Sequence, residues 1–130
     1  MSQQPKVTEF TIDRSKWGRG FWFWTASKLL NSETGKMCCL GFFGLACGLT
    51  PEQIKGESVP DRGSEKHRQA WRDREAASWL FNENGGRSAD CSNLMSYNDL
   101  LNYKSEAIRE DDIARTFAKN GVTVTFIDGT

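Results

Sequence analysis

Between Gly35 and Leu49 the chain reads Gly-Lys-Met-Cys-Cys-Leu-Gly-Phe-Phe-Gly-Leu-Ala-Cys-Gly-Leu, and Lys36 is its only charge. So apolar a stretch has to be buried, and its glycines and alanine let other backbone approach closely. The turn residues Ser32-Glu33-Thr34-Gly35 come just before it. Met37 to Leu49 is therefore expected to start as a short strand edge and pass into a buried helix around which the rest must pack.

The 130 residues suit one domain, residues 1–130, able to bury roughly two thirds of the surface exposed by the unfolded chain. Residues 1–6 read as a flexible tail, and 55–63, with Gly56, Pro60 and Gly63, as a mobile loop. Phe10 and Ile12 share a face of a Thr-rich strand from Val7 to Asp13. After a turn at Ser15 to Gly20, Phe21-Trp22-Phe23-Trp24 reads as a central strand or a partly exposed aromatic surface, with Ser27 to Asn31 continuing the sheet. Thr50-Pro51-Glu52-Gln53 is a strong helix start, with a capping Thr, Pro at the first helical position and Gln where a capping box wants it. Ser64 to Asn82 is expected as one helix with Trp71, Ala76, Trp79 and Leu80 inward, stopped by Asn84-Gly85-Gly86. Cys91 to Tyr103 reads as irregular. Arg109 to Lys119 places Ile113 and Phe117 four apart on a helix ended at Asn120-Gly121, and Val122 to Ile127 alternates as a strand. The expected fold class is α+β: a small antiparallel sheet packed with about three to four helices.

Formal charge is zero and the pI is near 6.6, so no global positive field exists to drive sequence-independent DNA binding. The charge is nevertheless uneven, net +3 over residues 1–50 and net −2 from Glu106 onward, which is either a docking polarity or mixed solvated faces. The start Met-Ser-Gln-Gln-Pro has no apolar signal segment, and no run approaches bilayer length. A cytosolic location with no membrane contact is expected. There thiols stay reduced, and the adjacent Cys38 and Cys39 are poorly placed to pair with each other.

Cys38 and Cys39 follow a turn at the expected start of a helix, where the dipole and free amides lower a thiol pKa. A catalytic thiol also needs a base, and the one histidine, His67, lies in a charged segment with no motif around it. Burial as core thiols is the plainer reading. The cysteine spacing contains no CxxC knuckle, so no metal site is expected, and the absence of GxxxxGK[ST] and GxGxxG patterns calls for no cofactor. Asn98-Asp99, after Ser96-Tyr97, either holds a ligand or orients a side chain, or simply caps a turn. Trp17, Arg19 and Phe21 to Trp24 with Lys28 have the basic and aromatic character that stacks on bases or nucleotide rings, although aromatics at strand positions commonly serve a core. Ser64 to Glu75 interleaves Lys66, Arg68, Arg72 and Arg74 with Glu65, Asp73 and Glu75, as a solvated or docking face does.

Trp17 with Gly18 and Gly20, Leu29-Leu30-Asn31, Gly35, Met37-Cys38-Cys39-Leu40-Gly41, Ala46 to Gly48, Asn98-Asp99, Arg109-Glu110, Ile113, Phe117, Gly121, Val124, Phe126 and Asp128 together carry a resemblance. From about residue 10 to the end, the chain resembles a family of small proteins, without an assigned activity, found mainly in bacteriophage and prophage genomes. The resemblance implies a setting: a binding protein that serves host takeover or anti-defence in the cytoplasm of the infected bacterium, by occluding a host or defence-system protein or sequestering a nucleotide signal. The expected binding residues are Trp17, Arg19, Trp22, Trp24, Lys28 and Asn31 in the N-terminal segment, with Arg68 and Arg72 in the charged one. The alternatives are a cysteine-dependent enzyme, with Cys38 or Cys39 as nucleophile and Asn98 or Asp99 orienting a partner group, and a structural or assembly-accessory protein.

Overall fold

In strand β1 (Glu9–Asp13), Phe10 and Ile12 are buried while their neighbours face outward, as the alternation in the sequence requires. The structure is a computed structural model describing residues 6–19, 28–100 and 103–129. The strand proposed for Phe21 to Trp24, residue 27 and the tail at residues 1–5 lie outside the described residues; the rest of the expected continuation, residues 28–31, is not a strand and contributes only the isolated bridge of Leu30 to Lys55.

Strand β2 (Thr123–Ile127) pairs with β1 in parallel, Glu9 opposite Thr123 through to Asp13 opposite Ile127. The expected antiparallel sheet is thus corrected, among the described residues, to a two-stranded parallel one. The partners come from opposite ends of the chain, and the connection between them is a crossover long enough to return the second strand in the same direction as the first, which a tight hairpin cannot do. That crossover contains α1 (Cys39–Ala46), α2 (Pro51–Ile54), α3 (Glu65–Arg72), α4 (Ala89–Asp99) and α5 (Glu106–Lys119). Among the described residues, five α-helices, plus 3₁₀ turns at Arg14–Lys16 and Glu75–Leu80, exceed the three to four expected.

Two helix boundaries differ from the sequence reading for identifiable reasons. The single helix expected over Ser64 to Asn82 stops at Arg72 and resumes as the 3₁₀ turn. At about 100° per residue, Trp71 and Leu80 would face opposite sides of one continuous helix, yet both are fully buried. The break re-aims the second half. The irregular segment expected from Cys91 is in fact α4, capped by the Ser88 hydroxyl, which accepts from the Cys91 amide. Its buried stripe is Cys91, Leu94 and Asn98, at helical spacing but with a polar member that disguises the apolar period.

The remaining helix signals act as read. Thr50 and Gln53 form a reciprocal capping box on α2. Arg109, Ile113 and Phe117 line the buried face of α5, and Gly121, at φ 81°, reverses the chain into β2. Around α1, the rings of Phe10, Phe43, Trp79 and Phe117 meet at centroid distances of 4.9 to 5.4 Å. A Cβ at Gly41 would overlap the Leu29 carbonyl and one at Gly44 would lie 2.6 Å from the Trp71 ring, so α1 sits closer to its neighbours than any other residue there permits.

The loop 55–63 is fastened at several points. The Leu29 amide donates to Glu57 O and the Gly56 amide to Leu30 O, each at 2.8 to 2.9 Å. Val59 is buried, and Asp61 pairs with Arg87 at 3.3 Å.

Candidate functional site

The sequence singled out Asn98, and the structure places it at the junction of α4, α1 and the N-terminal segment. It is 1% exposed. Its Oδ1 accepts from Trp17 Nε1 at 2.7 Å and from the Cys39 amide at 3.0 Å, while Nδ2 donates to Gly18 O and to Asp99 Oδ1, both at 3.0 Å. Cys39 is the first residue of α1, and the helix receives no side-chain cap from Cys38. Asn98 supplies that cap from another helix.

Arg109 does the complementary work at the end of α4. Buried at 2% exposure, it donates through Nη1 to Tyr97 O at 2.6 Å and Asn98 O at 2.9 Å, and through Nη2 to Leu100 O at 2.6 Å. Nε pairs with Glu106 at 3.0 Å, and the guanidinium lies 4.7 Å from the Tyr103 ring centre. A fixed fork of donors thus meets the orphan carbonyls of a helix C-terminus, where positive charge is favoured. The sequence reading missed this role. The signal was present in the spacing of Arg109, Ile113 and Phe117, which puts the arginine on the inner face.

Trp17 is 2% exposed, so its indole is a buried anchor and no stacking platform. Arg19 lies over it at 4.1 Å and is tied to Glu106 at 2.5 Å. Arg14 takes Glu110 in a bidentate pair at 2.7 Å, reaches Asp128 at 3.1 Å and lies over Phe126. The hydrogen bonds to Glu110 hold the Arg14 guanidinium well above its ordinary pKa. Lys28 is half-buried and its carbonyl accepts from the Cys38 amide. Asn31 closes the turn before Lys36, its Oδ1 accepting from the Glu33 and Thr34 amides. Trp22 and Trp24 lie outside the described residues.

All four cysteines are buried and free. Burial pushes the thiols of Cys38, Cys47 and Cys91 up to about 12 and that of Cys39 well above its usual value. Amides at the start of α1 act on Cys38 in the opposite sense, and desolvation wins. The cavity beside Cys38, Cys39, Met95, Asn98 and Asp99 holds about 50 Å³, room for a water molecule and not for a substrate. With Asn98 committed to Trp17 and α1, these residues meet in space without forming a nucleophile and its base.

A second feature lies between α2 and α3: a groove of about 210 Å³ lined by Glu52, Gln53, Lys55, Glu57, Ser64, Lys66 and His67. Lys55 and Lys66 make no ion pair among the described residues. Beside it on α3, Arg68 pairs with Glu65 at 2.7 Å, and Arg72 approaches the same carboxylate at 3.9 Å. His67, which the sequence left without a role, lines the groove and is buried.

Among the described residues, no three of His, Cys, Asp and Glu gather to hold a metal ion, and no helix is long and apolar enough to cross a membrane. No protein-family model, curated protein or solved structure matches the chain.

Proposed function

We propose that this chain is a phage-encoded binding protein that acts in the cytoplasm of an infected bacterium by covering a surface of a host or defence-system protein. The observation that carries the reading is the groove between α2 and α3, where Lys55 and Lys66 remain unpaired among the described residues beside Glu52 and Glu57. With two ammonium groups and two carboxylates, the groove carries no net positive charge to hold a nucleotide's phosphates, whereas a protein surface offers both signs of charge. Trp17, buried and covered by Arg19, lends no support to nucleotide stacking. The cysteine-enzyme reading loses its nucleophile, because desolvation keeps all four thiols protonated at neutral pH.

The test is affinity purification of the tagged chain from infected cells, with mass spectrometry of what it retains, repeated with the double variant Lys55→Glu and Lys66→Glu. A stoichiometric protein retained by the natural chain and lost by the folded variant is the expected result. A retained nucleotide would transfer the function to sequestration of a signal. A large homo-oligomer with nothing bound would point to an assembly role, and either of these outcomes overturns the proposal.

A further inference from the structure

His67 is 5% exposed and both of its ring nitrogens face main-chain carbonyls. Nδ1 lies 2.9 Å from Gln53 O, on α2, and Nε2 lies 2.9 Å from Val59 O, in the loop that follows. A carbonyl oxygen can only accept, so each nitrogen must donate for both contacts to be hydrogen bonds. Neutral imidazole carries one N–H and imidazolium carries two. In either neutral tautomer, one carbonyl, the buried Val59 O or the part-buried Gln53 O, would confront a lone pair at hydrogen-bond distance, an arrangement that burial penalises.

The geometry points to a proton-operated latch: His67 in its imidazolium form fastens the Val59 end of the loop to α2 and α3, and release of one ring proton unfastens it. The Ser64 hydroxyl accepts from the His67 amide at 3.1 Å and fixes the first turn of α3, which carries the ring. The start of the loop has its own ties, Leu29 to Glu57 and Gly56 to Leu30, so the effect is confined to the stretch from Val59 onward. The charged groups facing His67 across the groove are Glu52 of α2, Lys55 and Glu57 of the loop, and Lys66 of α3. These are two of each sign. The sign follows from the donors alone: imidazolium holds both carbonyls and a neutral ring holds one, so the latch is closed at lower pH and opens as pH rises. The inference does not depend on which partner the groove binds.

His67 is the only histidine, so its ring nitrogens can be followed by nitrogen-15 NMR without ambiguity. Across a titration from about pH 5 to about pH 8, amide exchange at Asp61 and Arg62 is measured in parallel and corrected for its intrinsic pH dependence. Loss of the second ring proton and faster loop exchange should follow one curve, with a rise of about tenfold, the equivalent of one charge-assisted hydrogen bond. His67→Gln should remove that pH dependence. A ring that stays in one neutral tautomer throughout overturns the inference, as does loop exchange that ignores the ring's titration. Both readings come from the natural chain, so they decide the matter even if the variant does not fold.

Discussion

Replacing Asn98 with alanine removes a side chain that joins α4, α1 and the N-terminal segment at a single point. The loss leaves two buried donors without acceptors, Trp17 Nε1 and the Cys39 amide, and deprives Gly18 O of its donor. At about 1–3 kcal/mol for each orphaned donor, and less for a carbonyl, Asn98→Ala should destabilise the fold by about 3–5 kcal/mol. Against a total stability of about 5–15 kcal/mol for a domain, that is a large fraction. It corresponds to a fall of roughly 10–20 °C in Tm for a chain of this size. Urea unfolding followed by far-ultraviolet circular dichroism measures it directly. Trp17→Phe deletes one donor without emptying the core, so in the double-mutant cycle the pair should show a coupling of about 1–2 kcal/mol. Asn98→Asp keeps an acceptor for both donors but sets a second carboxylate against Asp99, and it too should destabilise. An Asn98→Ala loss under about 1 kcal/mol, or no coupling to Trp17, would refute the claim that Asn98 holds the start of α1.

Other consequences follow from the same contacts. Arg109→Lys keeps the charge but cannot reach three carbonyls at once, and a loss of about 2–4 kcal/mol in denaturant unfolding is expected. Gly41→Ala forces a methyl group into the Leu29 carbonyl and should cost more than about 3 kcal/mol, whereas Gly35→Ala, which meets no atom, costs only the strain of its positive φ. In the native chain at neutral pH, the four thiols should react with iodoacetamide only as fast as the protein opens, and all four should react at once in denaturant; rapid alkylation of one native thiol would contradict their burial. Three carboxyls sit below their usual range: Asp13 through the Ser15 hydroxyl, Asp90 through Lys119 and Asn120, and Glu106 because hydrogen bonds from Arg19 and Arg109 outweigh its burial. Depressed carboxyls stabilise the fold above their unfolded pKa of about 4 and lose that contribution as pH falls. Thermal stability should therefore decline below about pH 4, and less steeply for the variant combining Asp90→Asn and Glu106→Gln.

What was legible in the sequence was local, and what escaped it was set by pairing across the chain. The capping box at Thr50 and Gln53, the turn at Ser32 to Gly35, the α5 stripe and the burial of most of Met37 to Leu49 all arise from residues within a turn or two of one another. The direction of the strand pair depends on segments more than a hundred residues apart, about which neither segment carries information. The break between α3 and the 3₁₀ turn follows from where the core lies relative to Trp71 and Leu80, a tertiary fact that overrides continuous helical propensity. For the site, Asn98 was noticed but with its structural and ligand-holding roles both open. Its partners Trp17 and Cys39 come from two other segments, and only their convergence selects the structural one. His67 gave no motif because its partners are main-chain carbonyls, which any sequence supplies.

The uneven charge along the chain bears on where a partner could dock. Pairing β1 with β2 brings the basic N-terminal segment to the acidic C-terminal one, and there Arg14 takes Glu110 and Asp128 while Arg19 takes Glu106. The polarity visible in the sequence is thus partly consumed within the fold. A partner docking on Trp17 would first have to lift Arg19 from the indole and from Glu106. A half-exposed ion pair and a cation–π contact together are worth about 1–2 kcal/mol, a penalty of roughly tenfold in affinity. Between α2 and α3 no such contact has to be broken, because Lys55 and Lys66 enter no ion pair among the described residues. For equal contacts made, the groove beside His67 is therefore the more favourable docking surface, and charge reversal there should weaken binding more than Arg19→Ala does.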